Sequence, residues 1–151
     1  MDKSENTKIT PGVVRPASVE TGRPQSAPLY LHAVSAGFPS PAEDYIEDFL
    51  DLHKLMVKNP PATFFLRVSG TSMLGAGIAD GDLLVVDRSV PAVSGRVVVA
   101  AWDGELTVKR LRIKDKKIYL VPENDHYPSI DITGREDTAV WGVVTYVVRK
   151  I

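Results

Sequence analysis

The chain contains no cysteine, which excludes disulfide bridges, thiolate metal sites and a cysteine nucleophile. Packing must hold the fold. Long apolar runs are missing too: no stretch approaches the roughly 20 residues that span a bilayer. The opening Met1-Asp2-Lys3-Ser4-Glu5-Asn6 lacks the apolar centre of a secretion signal. The expectation is a cytoplasmic protein without membrane contact. Nor does one sign of charge dominate. With 18 basic and 19 acidic residues, the balance predicts no tight electrostatic binding to nucleic acid, so contact with DNA is expected to be indirect. What is present is 151 residues of 44% apolar composition, enough for one core and within the size of one domain.

The stretch before Leu29 is broken by Pro11, Pro16, Pro24 and Pro28, with Gly12 and Gly22, and shows neither helical nor strand periodicity. It is read as a disordered arm, too short and too interrupted for a helix-turn-helix domain. Leu29, Leu31 and Ala33 then alternate with polar positions, predicting an extended segment that enters a joint at Ser35-Ala36-Gly37. We place the arm over 1–38 and a β-rich domain over 39–151. Ser40, Pro41 and Glu43 match a capping box with proline at the first helical position. Tyr45, Ile46, Phe49, Leu52, Leu55 and Met56 follow at helical spacing, predicting a helix, with Asp51 as a candidate break, that ends before Asn59-Pro60-Pro61.

From Ala62 onward, β-branched runs predict strands at Thr63–Val68, Asp82–Arg88, Arg96–Trp102, Leu106–Ile113, Lys117–Val121 and Ala139–Arg149. Asp103-Gly104 is a strong hairpin signal, and Lys114-Asp115-Lys116 reads as a second, slightly longer turn. The predicted class is mainly β, compact and largely antiparallel, with one or two short helices.

Ser72, in Val68-Ser69-Gly70-Thr71-Ser72-Met73-Leu74-Gly75, follows an apolar run. It lacks the glycine at position 74 that a hydrolase elbow requires. As a turn residue its hydroxyl needs no further explanation; as a nucleophile it needs a base. His32, His53 and His126 have no carboxylate placed by the sequence to orient them. Strand parity offers Lys109, which shares a face with Leu111 and Ile113 while Arg110 and Arg112 share the other. Its stem can pack along the core rim with the ammonium in water. Alternatively, burial lowers its pKa until the neutral amine accepts a serine proton, as in known Ser-Lys pairs.

The segments "LRVSGTSM" (66–73), "IADGDLLVVD" (78–87), "GELTVKRL" (104–111) and "LVPEN" (120–124) resemble the self-cleaving peptidase domain shared by LexA-type repressors and UmuD-type mutagenesis proteins. The likeness runs over Leu29–Lys150. It implies the fold of that C-terminal peptidase domain, Ser72 as nucleophile, Lys109 as general base and the backbone N–H groups of Thr71 and Ser72 as oxyanion hole. It also implies self-cleavage at Ala36-Gly37, and requires no cofactor or metal. The missing helix-turn-helix, together with "AGFPSPAEDYIE" and "LDLHKLMVKNP", resembles the UmuD branch. The best-known UmuD has cysteine where this chain has Ala36. Resemblance further implies a homodimer, stimulation by the RecA filament on single-stranded DNA, and a truncated product that serves a UmuC-type Y-family polymerase in the damage response. Two other function classes stay open from the residues: a catalytically silent β-module that only docks polymerase or RecA, and a signal peptidase, which also uses a Ser-Lys pair but is membrane-linked.

Overall fold

A computed structural model describes residues 25–30, 33–38 and 46–151. His32, the capping box at Ser40, Pro41 and Glu43, and Tyr45 lie outside the described residues. The order is β1 (Ala27–Tyr30), β2 (Ile46–Leu50), α1 (Leu52–Met56), β3 (Thr63–Arg67), β4 (Leu83–Asp87), β5 (Val97–Trp102), β6 (Glu105–Lys114), β7 (Lys117–Val121), β8 (Ile130–Asp131) and β9 (Ala139–Val148). All six strands predicted downstream of Ala62 are present, and the class is mainly antiparallel β.

One correction concerns the segment before Asn59. The helical spacing predicted over Tyr45–Met56 holds only from Leu52. Ile46–Leu50 is a strand, paired antiparallel with β1 from Ala27↔Leu50 to Tyr30↔Ile46. Strand–strand hydrogen bonding overrides the helical pattern there. Asp51 is the boundary, its carboxylate accepting the Lys54 N–H at 3.1 Å as the N-cap of α1. β1 itself lies within the stretch read as arm, so Ala27–Tyr30 has ladder partners.

Seven strands form the main sheet in the order β3-β4-β9-β5-β6-β7-β8, with every pair antiparallel. Both predicted hairpins are two-residue turns. Asp103 and Gly104 have φ of 50° and 77°, and Asp115 and Lys116 have φ of 50° and 63°, the left-handed pair that matches strand twist. The second turn is thus shorter than the sequence suggested, and Lys116 occupies a region that side chains resist. In β5 the consecutive Val98, Val99 and Ala100 are all buried, so apolar material covers both sheet faces. One cluster gathers Val68, Met73, Ile78, Leu84, Val86 and Val99; the other gathers Val98, Ala100, Leu111, Leu120, Ile132 and Val143. The first lies beneath the Ser72 turn, and the second continues the row on which Lys109 stands. Among the described residues no helix is long and apolar enough to cross a membrane.

Candidate active site

Strand β3 delivers the chain to Val68, which is locked to the start of β4: the Val68 N–H donates to Asp82 O and the Gly81 N–H to Val68 O, both at 2.8 Å. Gly70 then turns the backbone with φ of 96°, a value that favours glycine. Its N–H donates to Asp80 Oδ1 at 2.8 Å. Beyond Ser72 the chain is pinned by Met73, only 1% exposed in the first core cluster. Ser72 therefore sits between a fixed turn and a buried anchor.

The foot of this loop is tied to the C-terminal strand. Asp82, the first residue of the predicted strand Asp82–Arg88, is 2% exposed. Arg149 Nε and Nη2 donate to its two carboxylate oxygens at 2.6 Å each, and Nη2 also reaches Gly77 O at 2.9 Å. The Ala79 N–H supplies another donor at 2.8 Å. The Arg149 guanidinium, followed by that amide, holds the Asp82 carboxyl at about 2.

Lys109 comes from the middle of β6, whose pairing with both neighbours is free of bulges. Parity therefore holds. Lys109 is 8% exposed beside the buried Leu111, whereas Arg110 turns to the other face and pairs with Glu123. Ile113, expected on the apolar face, is 45% exposed where the strand runs out past the core. Lys109 Nζ lies 2.8 Å from Ser72 Oγ, 2.9 Å from Thr107 Oγ1 and 3.0 Å from Val108 O. The ammonium does not reach water over the rim; it ends at Ser72. Burial lowers its pKa, and among the described residues no carboxylate forms an ion pair with it. Three contacts suit both protonation states. An ammonium donates to all three oxygens. A neutral amine donates to Thr107 Oγ1 and Val108 O and turns its lone pair to the Ser72 hydroxyl. Thr107 was not singled out from sequence, although its i−2 position on the face of Lys109 marked it.

The remaining candidates separate. His53 on α1 and His126 in the loop after β7 are exposed and do not contact Ser72. Ala36 and Gly37 lie in an exposed segment, with Val34 95% and Phe38 90% exposed. The amides of Thr71 and Ser72, among the described residues, donate to no protein acceptor. Sequence reasoning also missed the loop that frames Ser72. The Glu123 N–H donates to Ser72 O and the Gly75 N–H to Glu123 O, each at 2.8 Å. Asn124 Nδ2 donates to Thr71 O at 2.9 Å, and the Thr71 and Tyr127 hydroxyls are 3.0 Å apart. The approach at Gly75 is so close that a Cβ there would lie 2.7 Å from Glu123 O.

The sequence pattern of the Peptidase S24-like family matches residues 28–145. The chain is 49% identical over 125 residues to the protein MucA of Salmonella typhimurium, covering 82% of this chain and 85% of MucA. It is 44% identical over 136 residues to the protein ImpA of Escherichia coli, covering 90% and 92%. It is also similar to the LexA repressor of Frankia casuarinae, at 40% over 141 residues, covering 93% of this chain and 54% of that repressor.

Proposed function

Because the chain belongs to the Peptidase S24-like family, in its LexA/UmuD group, we propose that it is a serine peptidase acting on itself, with Ser72 as nucleophile and Lys109 as general base. The observation that carries this is the part-buried 2.8 Å contact between Ser72 Oγ and Lys109 Nζ, with Thr107 Oγ1 and Val108 O left to take the two N–H bonds of a neutral amine. Ser72 Oγ bonds to the Ala36 carbonyl carbon as its proton passes to Nζ. The N–H groups of Thr71 and Ser72 receive the charge on the carbonyl oxygen. The C–N bond to Gly37 then breaks, Lys109 returns the proton to the Gly37 nitrogen, and the Ala36 acyl group stays on Ser72. Water, deprotonated by the same amine, releases it as a carboxylate and restores the serine.

The bond is small on both sides, so the chain can pass close to the nucleophile, with Val34 entering an apolar subsite. Since Val34 and Phe38 are exposed, cleavage requires the 33–38 segment to dock first. Tethering supplies a high effective concentration once it does, and rarity of the docked state supplies restraint. In this account the RecA filament on single-stranded DNA favours the docked state. The arm over 1–38 is cut within itself, and the domain over 39–151 goes on, from Gly37, as a homodimeric accessory subunit of a UmuC-type Y-family polymerase. The setting is the cytoplasmic SOS damage response, with DNA reached through partners. The near balance of charge supports that indirect contact.

The test is incubation with RecA, ATP and single-stranded DNA, followed by capture on the polymerase subunit. We expect a product beginning at Gly37 that the polymerase retains. Uncut protein that still binds the polymerase would favour the silent docking module instead.

A further inference from the structure

Deepening that reading and resting on it, we propose that Asn124, with Tyr127, is a positioning residue: it holds the Thr71 carbonyl and thereby aims the Ser72 N–H at the oxyanion. The peptide unit is planar. Thr71 C=O and Ser72 N–H belong to one trans peptide and point in opposite directions, so whatever grips the oxygen also orients the hydrogen. Thr71 O accepts from Asn124 Nδ2 at 2.9 Å and from the Leu74 N–H at 3.3 Å. The shorter bond comes from a side chain 53 residues away, on a separate loop, so the turn does not set this plane alone.

Which amide atom faces Thr71 is fixed by the rest of the network. The His126 N–H donates to Asn124 Oδ1 at 3.0 Å, which leaves Nδ2 as the atom of the Asn124 amide that donates to Thr71 O. The next peptide is held in the same way, since Ser72 O accepts from the Glu123 N–H at 2.8 Å. Two consecutive residues of one loop thus hold the carbonyls on both sides of the Ser72 Cα. The Thr71 side chain has its own tie, 3.0 Å from the Tyr127 hydroxyl. A serine that needed only to satisfy a turn would not require both flanking peptides held from outside. An oxyanion donor does, because its value lies in being aimed before charge develops. Donation from Asn124 to Thr71 O also polarises that peptide and strengthens its N–H as a donor.

The contacts of Lys109 lie elsewhere, on Ser72 Oγ, Thr107 and Val108, so base and oxyanion hole respond to different substitutions. The experiment measures self-cleavage of the full chain against pH, and inactivation by di-isopropyl fluorophosphate, which needs no docked arm. Asn124→Ala should lower the plateau of both by roughly 10- to 100-fold, short of the roughly 10²–10³-fold for deleting a donor outright. The pH midpoint, set by Lys109, should stay in place. A wild-type plateau, a moved midpoint, or a loss that merely tracks the unfolded fraction in a circular-dichroism melt would overturn the proposal. Should Asn124→Ala fail to fold, Tyr127→Phe carries the test. It deletes one hydroxyl on a half-exposed ring and should slow both reactions about 3- to 10-fold, the scale of one hydrogen bond; an unchanged rate overturns the proposal. If wild-type protein neither cuts nor reacts with the fluorophosphate, the peptidase reading itself fails. If wild type does both and the variants match it, only the role of Asn124 and Tyr127 fails.

Discussion

Lys109→Met separates the proposed base from the stem that carries it, and the structure sets the size of the effect. The wild-type side chain is 8% exposed and ends on three oxygens. Burial lowers its pKa below the ordinary 10.5, so the folded chain binds this proton less tightly than the unfolded chain does. Below the folded-state value both states are protonated and the penalty is complete. Between that value and 10.5 the folded protein releases the proton while the unfolded chain keeps it, so this contribution to stability rises with pH. Each tenfold weakening of proton binding corresponds to about 1.4 kcal/mol. Methionine keeps the apolar stem beside Leu111 and removes this penalty, but it forfeits hydrogen bonds of about 0.5–1.5 kcal/mol each. Ser72 and Thr107 are only part-buried, so water can replace some of those bonds. The opposing terms leave the variant within about 1.5 kcal/mol of wild type near pH 7, a melting shift of about 5 °C or less. Cleavage should be undetectable. Lys109→Ala, which also empties the stem's volume, should cost about 2–5 kcal/mol. Urea melts at pH 7 and pH 10 measure both variants, and wild type should gain on Lys109→Met as pH rises. A Lys109→Met variant that unfolds as readily as a core deletion would show the amine to be structural, and one that still cuts would show that it is not the base.

Two further perturbations probe the frame around the site. Arg149→Met should raise the Asp82 carboxyl from about 2, because the guanidinium is the largest cause of its depression. Wild-type stability from this pair is present above the unfolded carboxylate value and is lost as pH falls through about 2. The variant should therefore unfold at higher pH on acidification, and an unmoved Asp82 titration by carbon NMR would show the pair to be inconsequential. Gly75→Ala must place a Cβ 2.7 Å from Glu123 O. We expect a loss of about 1–3 kcal/mol by thermal melt together with slower cleavage, and a variant indistinguishable from wild type would mean the loop yields freely.

The Ser72–Lys109 pair was legible because β6 is regular. With no bulge between Glu105 and Lys114, parity along the sequence equals parity in space, and a lysine in line with Leu111 stood out. Bringing it to a serine 37 residues away came from family likeness rather than from periodicity. Ile46–Leu50 was misread because five residues of mixed polarity fit helical and strand spacing alike, and only pairing with β1 decides. β8, at two residues, carries no pattern at all. Asp82 and Asn124 share another obscurity. Each looks like an ordinary turn residue, and each gains its role from a partner, Arg149 or Thr71, that is 67 or 53 residues distant. A contact between a side chain and a partner so remote in sequence has no period to reveal it.

The most direct measurement is the fragment released when the purified full chain is incubated alone from pH 7 upward, with Ser72→Ala as its control. We expect one cut, a new N-terminus at Gly37, and a rate climbing about tenfold per pH unit until Lys109 is neutral, with no cut in Ser72→Ala. Cleavage of the Ala36-Gly37 bond in Ser72→Ala, or a rate that falls as pH rises, would contradict this.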